Sequence, residues 1–476
     1  MLTGRVNAPE INTRHGWLNV NRSYTLRDFR GKIVLLDFWT FGCINCQHIL
    51  PDLKRLEQEY PNELVVIGVH SAKFEAEKRK DAIRQAILKF GIEHPVVNDA
   101  DFEVWKQYAV NAWPTVALID PDGKVVGQRS GEGIYDIIKP HLDDLIETFQ
   151  GRLNLEPYRF KPETTEASAL RFPSKMIADP EGNLYLSDSG HNQILKLDTA
   201  GHVLEVIGSG QQGFTDGPAE EATFHEPHGL ALHGQFLYVA DAKNNALRKV
   251  DLVQKQVKTV AGTGELSYYF FHEEIGVPVN PNSPWDLVID GNQLYIASAG
   301  NHQILRMDLH TEKVYRFAGT GREALADGTL PEAAFNQPSG LTLIDHTLYV
   351  ADPEASAVRA VHLEKGRVST LIGRGLFEFG DEDGYFDEAY LQHCMGITAH
   401  NGNLYLADTY NGKVKELNLA KERIKTIVGG LDEPNDVLFH NGFLWITNTN
   451  AHQLWKVNLE TGEREIVAIK AMVPVE

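Results

Sequence analysis

A five-residue apolar pattern returns six times in the C-terminal part of the chain, and its spacing constrains the fold more than any other feature. It reads LYLSD at 184–188 and LYVAD at 237–241, with relatives LYIAS, LYVAD, LYLAD and LWITN starting at Leu294, Leu348, Leu404 and Leu444. The fifth residues are Asp188, Asp241, Ser298, Asp352, Asp408 and Asn448, so the intervals are 53, 57, 54, 56 and 40 residues. Most copies open with a Pro turn and a strand, as in EPHGLAL, SPWDLVI, QPSGLTL and EPNDVLF. The aromatic strand follows, then a tight polar turn, an alternating strand, and a fourth strand such as VLEVIG, KTVAG or RIKTIVG. Four short antiparallel strands repeated six times at this period describe a six-bladed β-propeller. Such a ring must close so that its last sheet leaves no bare edge. The candidate closing segments are Glu465 to Lys470 and Ala167 to Arg171.

Before residue 150 the pattern differs. Buried-type strands at Ile33 to Phe38 and Leu64 to His70 alternate with helices of 3.6-residue period at Cys46 to Tyr60 and Lys78 to Phe90. A strand at Pro95 to Asn98, a hairpin LIDPDGKVVGQ and a last helix near Tyr135 to Phe149 complete a mixed α/β sheet. The domains expected are 1–150, a charged and proline-bearing linker at 151–171, and the propeller at 172–476.

The first domain carries the clearest chemistry, in DFWTFGCINCQHILPDLKRLEQEY at 37–60. Here a Cys-x-x-C pair lies where a strand hands over to a helix. A thiol there meets the unpaired first-turn N–H groups and the positive end of the helix dipole, which favour the thiolate. Cys43 is therefore the candidate nucleophile. Cys46, one turn deeper, is the candidate resolving thiol, releasing a bound partner as an intramolecular disulfide. Asp37 closes the apolar run IVLLD, which predicts a buried carboxyl of raised pKa able to accept the Cys46 proton. Pro51 falls inside the helix and predicts a kink. Pro114, in Trp113-Pro114-Thr115, precedes a strand through an X-Pro bond open to the cis form, a backbone edge to hold an extended substrate. Beyond the redox-active disulfide Cys43–Cys46, no cofactor is expected.

These features resemble the thioredoxin fold at matching spacing, from roughly Asn7 to Thr148. Ala8-Pro9-Glu10, the segment Asp81 to Val110 and LIDPDGKVV are most similar to its peroxiredoxin-like cytochrome-maturation and thiol-reductase branch. Gly42 and Ile44-Asn45 stand where thioredoxins usually carry Trp and Gly-Pro. The intervening dipeptide tunes redox potential in that fold, so the direction of electron flow is left open.

Composition bounds the rest. The formal charge of −20 is unequally shared. Residues 1–150 hold 18 basic and 21 acidic side chains, net −3, leaving 45 − 18 = 27 basic and 65 − 21 = 44 acidic, net −17, for the remainder. An acidic propeller disfavours nucleic acid and anionic membrane. No stretch approaches the ~20 apolar residues of a membrane span, and the start of the chain has no secretory pattern. A cytosolic monomer is expected. Three cysteines argue against a disulfide framework, leaving Cys394 as a small buried residue.

In the propeller, the Asp of each aromatic strand precedes a turn whose N–H groups it can accept, which accounts for Asp or Asn without a ligand. His191, His302 and His452 recur after equivalent strands, and some propeller enzymes carry metals on histidines near the axis. His-Gln-Ile is also an ordinary turn-to-strand sequence, however, and no metal site is expected. The acidic loops DEDGYFDEAY and FTDGPAEEA offer oxygen ligands for Ca²⁺ but lack EF-hand spacing.

A thioredoxin-like domain followed by blades with long segments such as GTGREALADGTLPEAAFNQPSG is similar to NHL-repeat propellers, and in this order resembles the NHL repeat-containing protein 2 family. The animal members carry a Cys-Cys-Ile-Asn-Cys turn, and Gly42 replaces the first Cys here. The first expectation is a thiol–disulfide oxidoreductase or redox sensor whose propeller binds a protein partner. The alternative is a non-catalytic scaffold whose thioredoxin-like module is degenerate, and a third is a metal-dependent propeller enzyme.

Overall fold

In the computed structural model, which describes residues 6–267 and 279–471, the chain divides into two compact units, 1–166 and 167–476. The first unit contains a six-stranded sheet in the order β1-β4-β3-β2-β5-β6. Its strands are β1 (Trp17–Leu18), β2 (Ile33–Trp39), β3 (Leu64–His70), β4 (Val96–Asn98), β5 (Thr115–Ile119) and β6 (Val125–Ser130). The central β2, β3 and β4 run parallel, and β1, β5 and β6 join antiparallel. The helices are α1 (Ile44–Glu59), α2 (Lys80–Phe90), α3 (Glu103–Gln107) and α4 (Tyr135–Thr148).

β2 and β3 read as unbroken apolar runs because both faces of the sheet are covered. Val34, Leu36, Phe38, Val65 and Ile67 pack on one side with Trp17 and Tyr108. Ile33, Leu35 and Leu64 pack on the other against Ile49 and Leu53 of α1 and Leu142 of α4. This arrangement leaves the residues after Trp39 at the end of the sheet, where α1 begins.

The stretch 151–171, read as a linker, is shared between the units. Tyr158 and Phe160 pack against the cluster that holds Phe29, with the Tyr158 and Phe29 rings 5.0 Å apart, and the Asn154 N–H donates to the Gly31 carbonyl at 2.8 Å. Its aromatic residues find apolar surface on the first unit, whereas Leu170 is buried in the second.

The second unit is a ring of six sheets. Their innermost strands are Pro173–Ala178, Pro227–His233, Pro284–Asp290, Gly340–Ile344, Gly396–His400 and Pro434–His440. Blade six supplies its own outer strand, Arg464–Val467, which overlaps the expected closing segment from Glu465, and Lys470 then bridges in parallel to His202 of blade one. Leu170, Met176 and Leu195 pack with Trp445 and Leu454 across the same seam.

The recurring fifth residue of the aromatic strand accepts a backbone N–H, but from the turn before the blade's first strand rather than the turn after its own. Arg171, His225, Asn336 and Gln392 donate in this way to Asp188, Asp241, Asp352 and Asp408 at 2.7, 2.8, 2.7 and 2.8 Å. Ser298 and Asn448 take the same bond from Asn282 and Asp432. Each acceptor ties the entrance of a blade to its second strand.

Around the axis, the aligned residue near the start of each opening strand is Lys175, Gly229, Asp286, Gly340, Gly396 or Asp436. The glycines stand where a neighbouring backbone leaves no room. A Cβ on Gly229 would lie 2.5 Å from Asp286 Cα, and one on Gly340 would lie 2.4 Å from the Met395 carbonyl oxygen. Gly340→Ala is therefore expected to destabilise the propeller by about 1–3 kcal/mol through overpacking, read from its denaturant midpoint. An unchanged midpoint would mean the blades shift freely.

Candidate functional site

The site begins with the turn between β2 and α1. Cys43 is the N-cap of α1, and its Sγ accepts the Cys46 N–H at 3.2 Å. Its carbonyl also accepts the N–H groups of Cys46 and Gln47 at 3.1 and 3.2 Å, so the thiol is anchored on the first turn of the helix. Both cysteines are free thiols, 7% and 1% exposed. Burial drives the Cys46 thiol well above its ordinary pKa, reinforced by its hydrogen bond to Cys43 and by the Asp37 charge. Cys46 therefore needs a base before it can act.

Asp37 is a neighbouring acid whose charge acts on the Cys46 thiol. It is fully buried, and neither carboxylate oxygen has a hydrogen-bond partner. Desolvation raises its pKa to about 7, opposed by the nearby His94. The parallel register sets Asp37 beside Gly68 and Trp39 beside His70. A Cβ on Gly68 would lie 2.9 Å from Trp39 Nε1 and 3.6 Å from His94 Nε2. Both of those nitrogens, and both ring nitrogens of the fully buried His70, lack hydrogen-bond partners. Burial lowers the His70 pKa to about 3, so it is neutral, stacked on Phe41 at 5.3 Å. His94 titrates upward, because Glu57 and Asp37 outweigh its burial. Unpaired buried polar groups of this kind cost stability, and perturbed titratable groups cluster at functional sites.

Trp113-Pro114 is cis, and Thr115 of β5 pairs with Phe38 of β2. Pro114 therefore precedes β5 at the sheet end from which Cys43 emerges. Its carbonyl accepts the Gly131 N–H at 3.0 Å.

Sequence reasoning missed three residues here. His94 and Glu77 come from separate loops, and His48 of α1 lies against Glu132 at 2.5 Å. A buried Glu77 in SAKFEAEK is indistinguishable by composition from the exposed Glu75 beside it.

In the propeller the axial side chains meet. Lys175 Nζ, buried, lies 3.2 Å from Asp286 Oδ2, 3.2 Å from the Met395 carbonyl and 3.5 Å from Asp436 Oδ1. The Leu341 N–H donates to Asp286 and the Met176 N–H to Asp436. One cation thus joins blades one, three, five and six. The charged third residues of otherwise apolar opening strands, in PSKM, PWDL and PNDV, were a readable signal.

The acidic loops considered for Ca²⁺ are internally occupied. Asp216 accepts Arg248 at 2.8 Å and the Thr259 N–H at 2.9 Å, and Arg248 continues to buried Asp241 at 2.7 Å. Asp327, Arg359 and Asp352 repeat the pattern, as do Asp383, Lys415 and Asp408. His191 pairs with Asp188 at 2.7 Å, His302 lies 3.3 Å from Glu323, and His452 Nδ1 accepts the Phe172 N–H at 3.1 Å. Among the described residues no three His, Cys, Asp or Glu side chains converge as a metal-binding group. Cys394 is fully buried, its Sγ 3.4 Å from the Ala357 carbonyl. No helix of the described residues is long and apolar enough to cross a membrane.

A thioredoxin-like family model matches residues 31–125. The chain is 39% identical over 498 residues to Protein SUPPRESSOR OF QUENCHING 1, chloroplastic, of Arabidopsis thaliana, covering 96% of this chain and 47% of that protein. It therefore spans about half of the plant relative's length. Its first domain is 32% identical over 117 residues to Thiol-disulfide oxidoreductase ResA of Bacillus thuringiensis subsp. konkukian, covering 25% of this chain and 65% of that protein. It is 36% identical over 523 residues to NHL repeat-containing protein 2 of Gallus gallus, covering 98% of this chain and 71% of that protein. With a thioredoxin-like domain, a six-bladed propeller and near-complete alignment, the chain belongs to the NHL repeat-containing protein 2 family.

Proposed function

We propose that the chain is a thiol–disulfide exchange protein whose propeller holds a protein partner. The observation that carries this reading is Cys43 at the N-cap of α1, accepting the Cys46 N–H, with the unpaired Asp37 carboxyl buried behind the pair. The Cys43 thiolate attacks a substrate disulfide, forming a mixed disulfide and expelling one substrate thiolate. Cys46 gives its proton to Asp37 and attacks Cys43 Sγ, expelling the second. The substrate gains two electrons and the protein is left as the Cys43–Cys46 disulfide, which an external dithiol must reduce again. Pro114 offers backbone to an extended substrate segment, and a reducing compartment such as the cytosol suits free thiols. The axial Lys175 already has Asp286 and Asp436 as partners, which favours partner binding by interblade loops.

A second reading, a scaffold whose thioredoxin-like module is only folded, is favoured by the low exposure of Cys43, 7%. The reduction potential separates the two. The Cys43–Cys46 pair is expected to titrate as one two-electron couple between roughly −200 and −300 mV, with Cys43→Ser abolishing disulfide reductase activity. A pair that forms no intramolecular disulfide across a glutathione or dithiothreitol series leaves the scaffold reading standing.

A further inference from the structure

Glu77 is remote from the dithiol in sequence and adjacent to it in space. It lies in the short 3₁₀ segment Ala76–Lys78, between β3 and α2, with its side chain fully buried. Four donors from two loops converge on its carboxylate. Oε1 accepts the Gly42 N–H at 2.9 Å. Oε2 accepts the Thr40 hydroxyl at 2.6 Å, the Lys73 N–H at 2.8 Å and the Phe74 N–H at 2.9 Å. Thr40 and Gly42 belong to the turn that delivers Cys43 to α1.

An ionised carboxylate has acceptor sites for four such donors. It also sets a negative charge against the N–H of Gly42, the residue before Cys43, in a region of low dielectric where like charges repel strongly. There it opposes the helix N-terminus, which favours the thiolate. We propose that Glu77 is a positioning residue of the dithiol, bracing the turn before Cys43 and restraining the nucleophilicity of that thiol through its charge. The proposal rests on the exchange reading above. Disfavouring the thiolate disfavours the reduced form, so Glu77 holds the pair at a more reducing potential.

Glu77→Gln tests it. The glutamine oxygen can face the three donors now on Oε2, leaving its NH₂ against the Gly42 N–H. Cys43 remains tied to α1 through its own carbonyl, so loss of the charge decides the sign. Alkylation of Cys43 by iodoacetamide in the reduced full-length protein at pH 7, followed by mass spectrometry, is expected to become about tenfold faster. Measured at a pH where reduced Cys43 is already a thiolate, the pair's potential should rise by about 30 mV, the two-electron equivalent of tenfold. An unchanged or slower rate, or an unmoved potential, overturns the proposal.

Should the glutamine variant fail to fold, Thr40→Val removes one donor and leaves the charge less offset. Alkylation several-fold slower than wild type supports the proposal, and an equal or faster rate overturns it. A wild-type protein that forms no disulfide defeats the exchange reading, while the alkylation rates still decide the role of Glu77.

Discussion

Replacing Lys175 with methionine is expected to cost the propeller about 3–5 kcal/mol, because it leaves two buried carboxylates facing each other without their cation. Asp286 and Asp436 both pair with Lys175, which also binds the Met395 carbonyl. Methionine matches the lysine stem in length, so the loss is electrostatic rather than a cavity. Desolvation already raises both carboxyls, Asp436 to about 7, with the lysine pulling them down. Their folded pKa values exceed the unfolded one, so the folded state holds protons that the unfolded state releases. Stability is therefore lost as pH rises from about 4 towards 7, and the variant should lose more above pH 7 than below pH 5. Denaturant titration of the full chain, with hydrogen exchange at the inner-strand amides to isolate the propeller, reads the effect. A loss below about 1 kcal/mol would show that the axis is not held by charge. Neutralising all three, as Lys175→Met with Asp286→Asn and Asp436→Asn, should recover most of the loss, because desolvation offsets much of what a buried pair gains.

Asp37→Asn should oppose stability to activity in a single substitution. In the proposed exchange an ionised Asp37 is the base for Cys46, and removing a positioned base typically costs on the order of 10²–10⁴ in rate. The step affected is resolution of the mixed disulfide, measured by stopped flow after trapping a chromogenic disulfide on Cys43. Wild-type resolution should accelerate as pH rises through about 7, where Asp37 ionises. The variant should lose that inflection. The same buried carboxyl destabilises the fold at neutral pH and above. Its folded pKa of about 7 exceeds the ordinary 3.8, so wild-type stability falls between about pH 4 and pH 7. Asparagine removes this, with a gain of up to about 4 kcal/mol at pH 8 by linkage. A variant that is slower but no more stable would mean that Asp37 is paired in a way its geometry does not indicate.

Much of the architecture was legible because it rests on short-range repetition. Leu237 to Asp241 and its five counterparts alternate with a period that only a pleated strand satisfies, and a whole sheet fits within each interval. α1 was legible from Ile49, Leu53 and Leu56, which fall on one face and pack in the core. The helix expected from Lys78 begins at Lys80, because Ala76–Lys78 forms a separate 3₁₀ turn. That turn buries Glu77, and its role depends on Gly42, 35 residues earlier. The packing of Tyr158 and Phe160 within the expected linker was not legible for a related reason, since charge and proline content describe a segment's solubility and not the apolar surface available to it.

The sequence alone determined the number of blades, the strand-to-helix turn bearing Cys43 and Cys46, and the burial of Asp37. Each follows from local periodicity or from neighbours a few residues away. Only the tertiary structure decided which partner each buried charge finds. Burying a charge is costly enough to demand a partner or a displaced proton, but that demand carries no information about where in the chain the partner lies. Lys175 finds Asp286 111 residues on, and Glu77 finds the turn before Cys43, because sheet register and ring closure bring those backbones together.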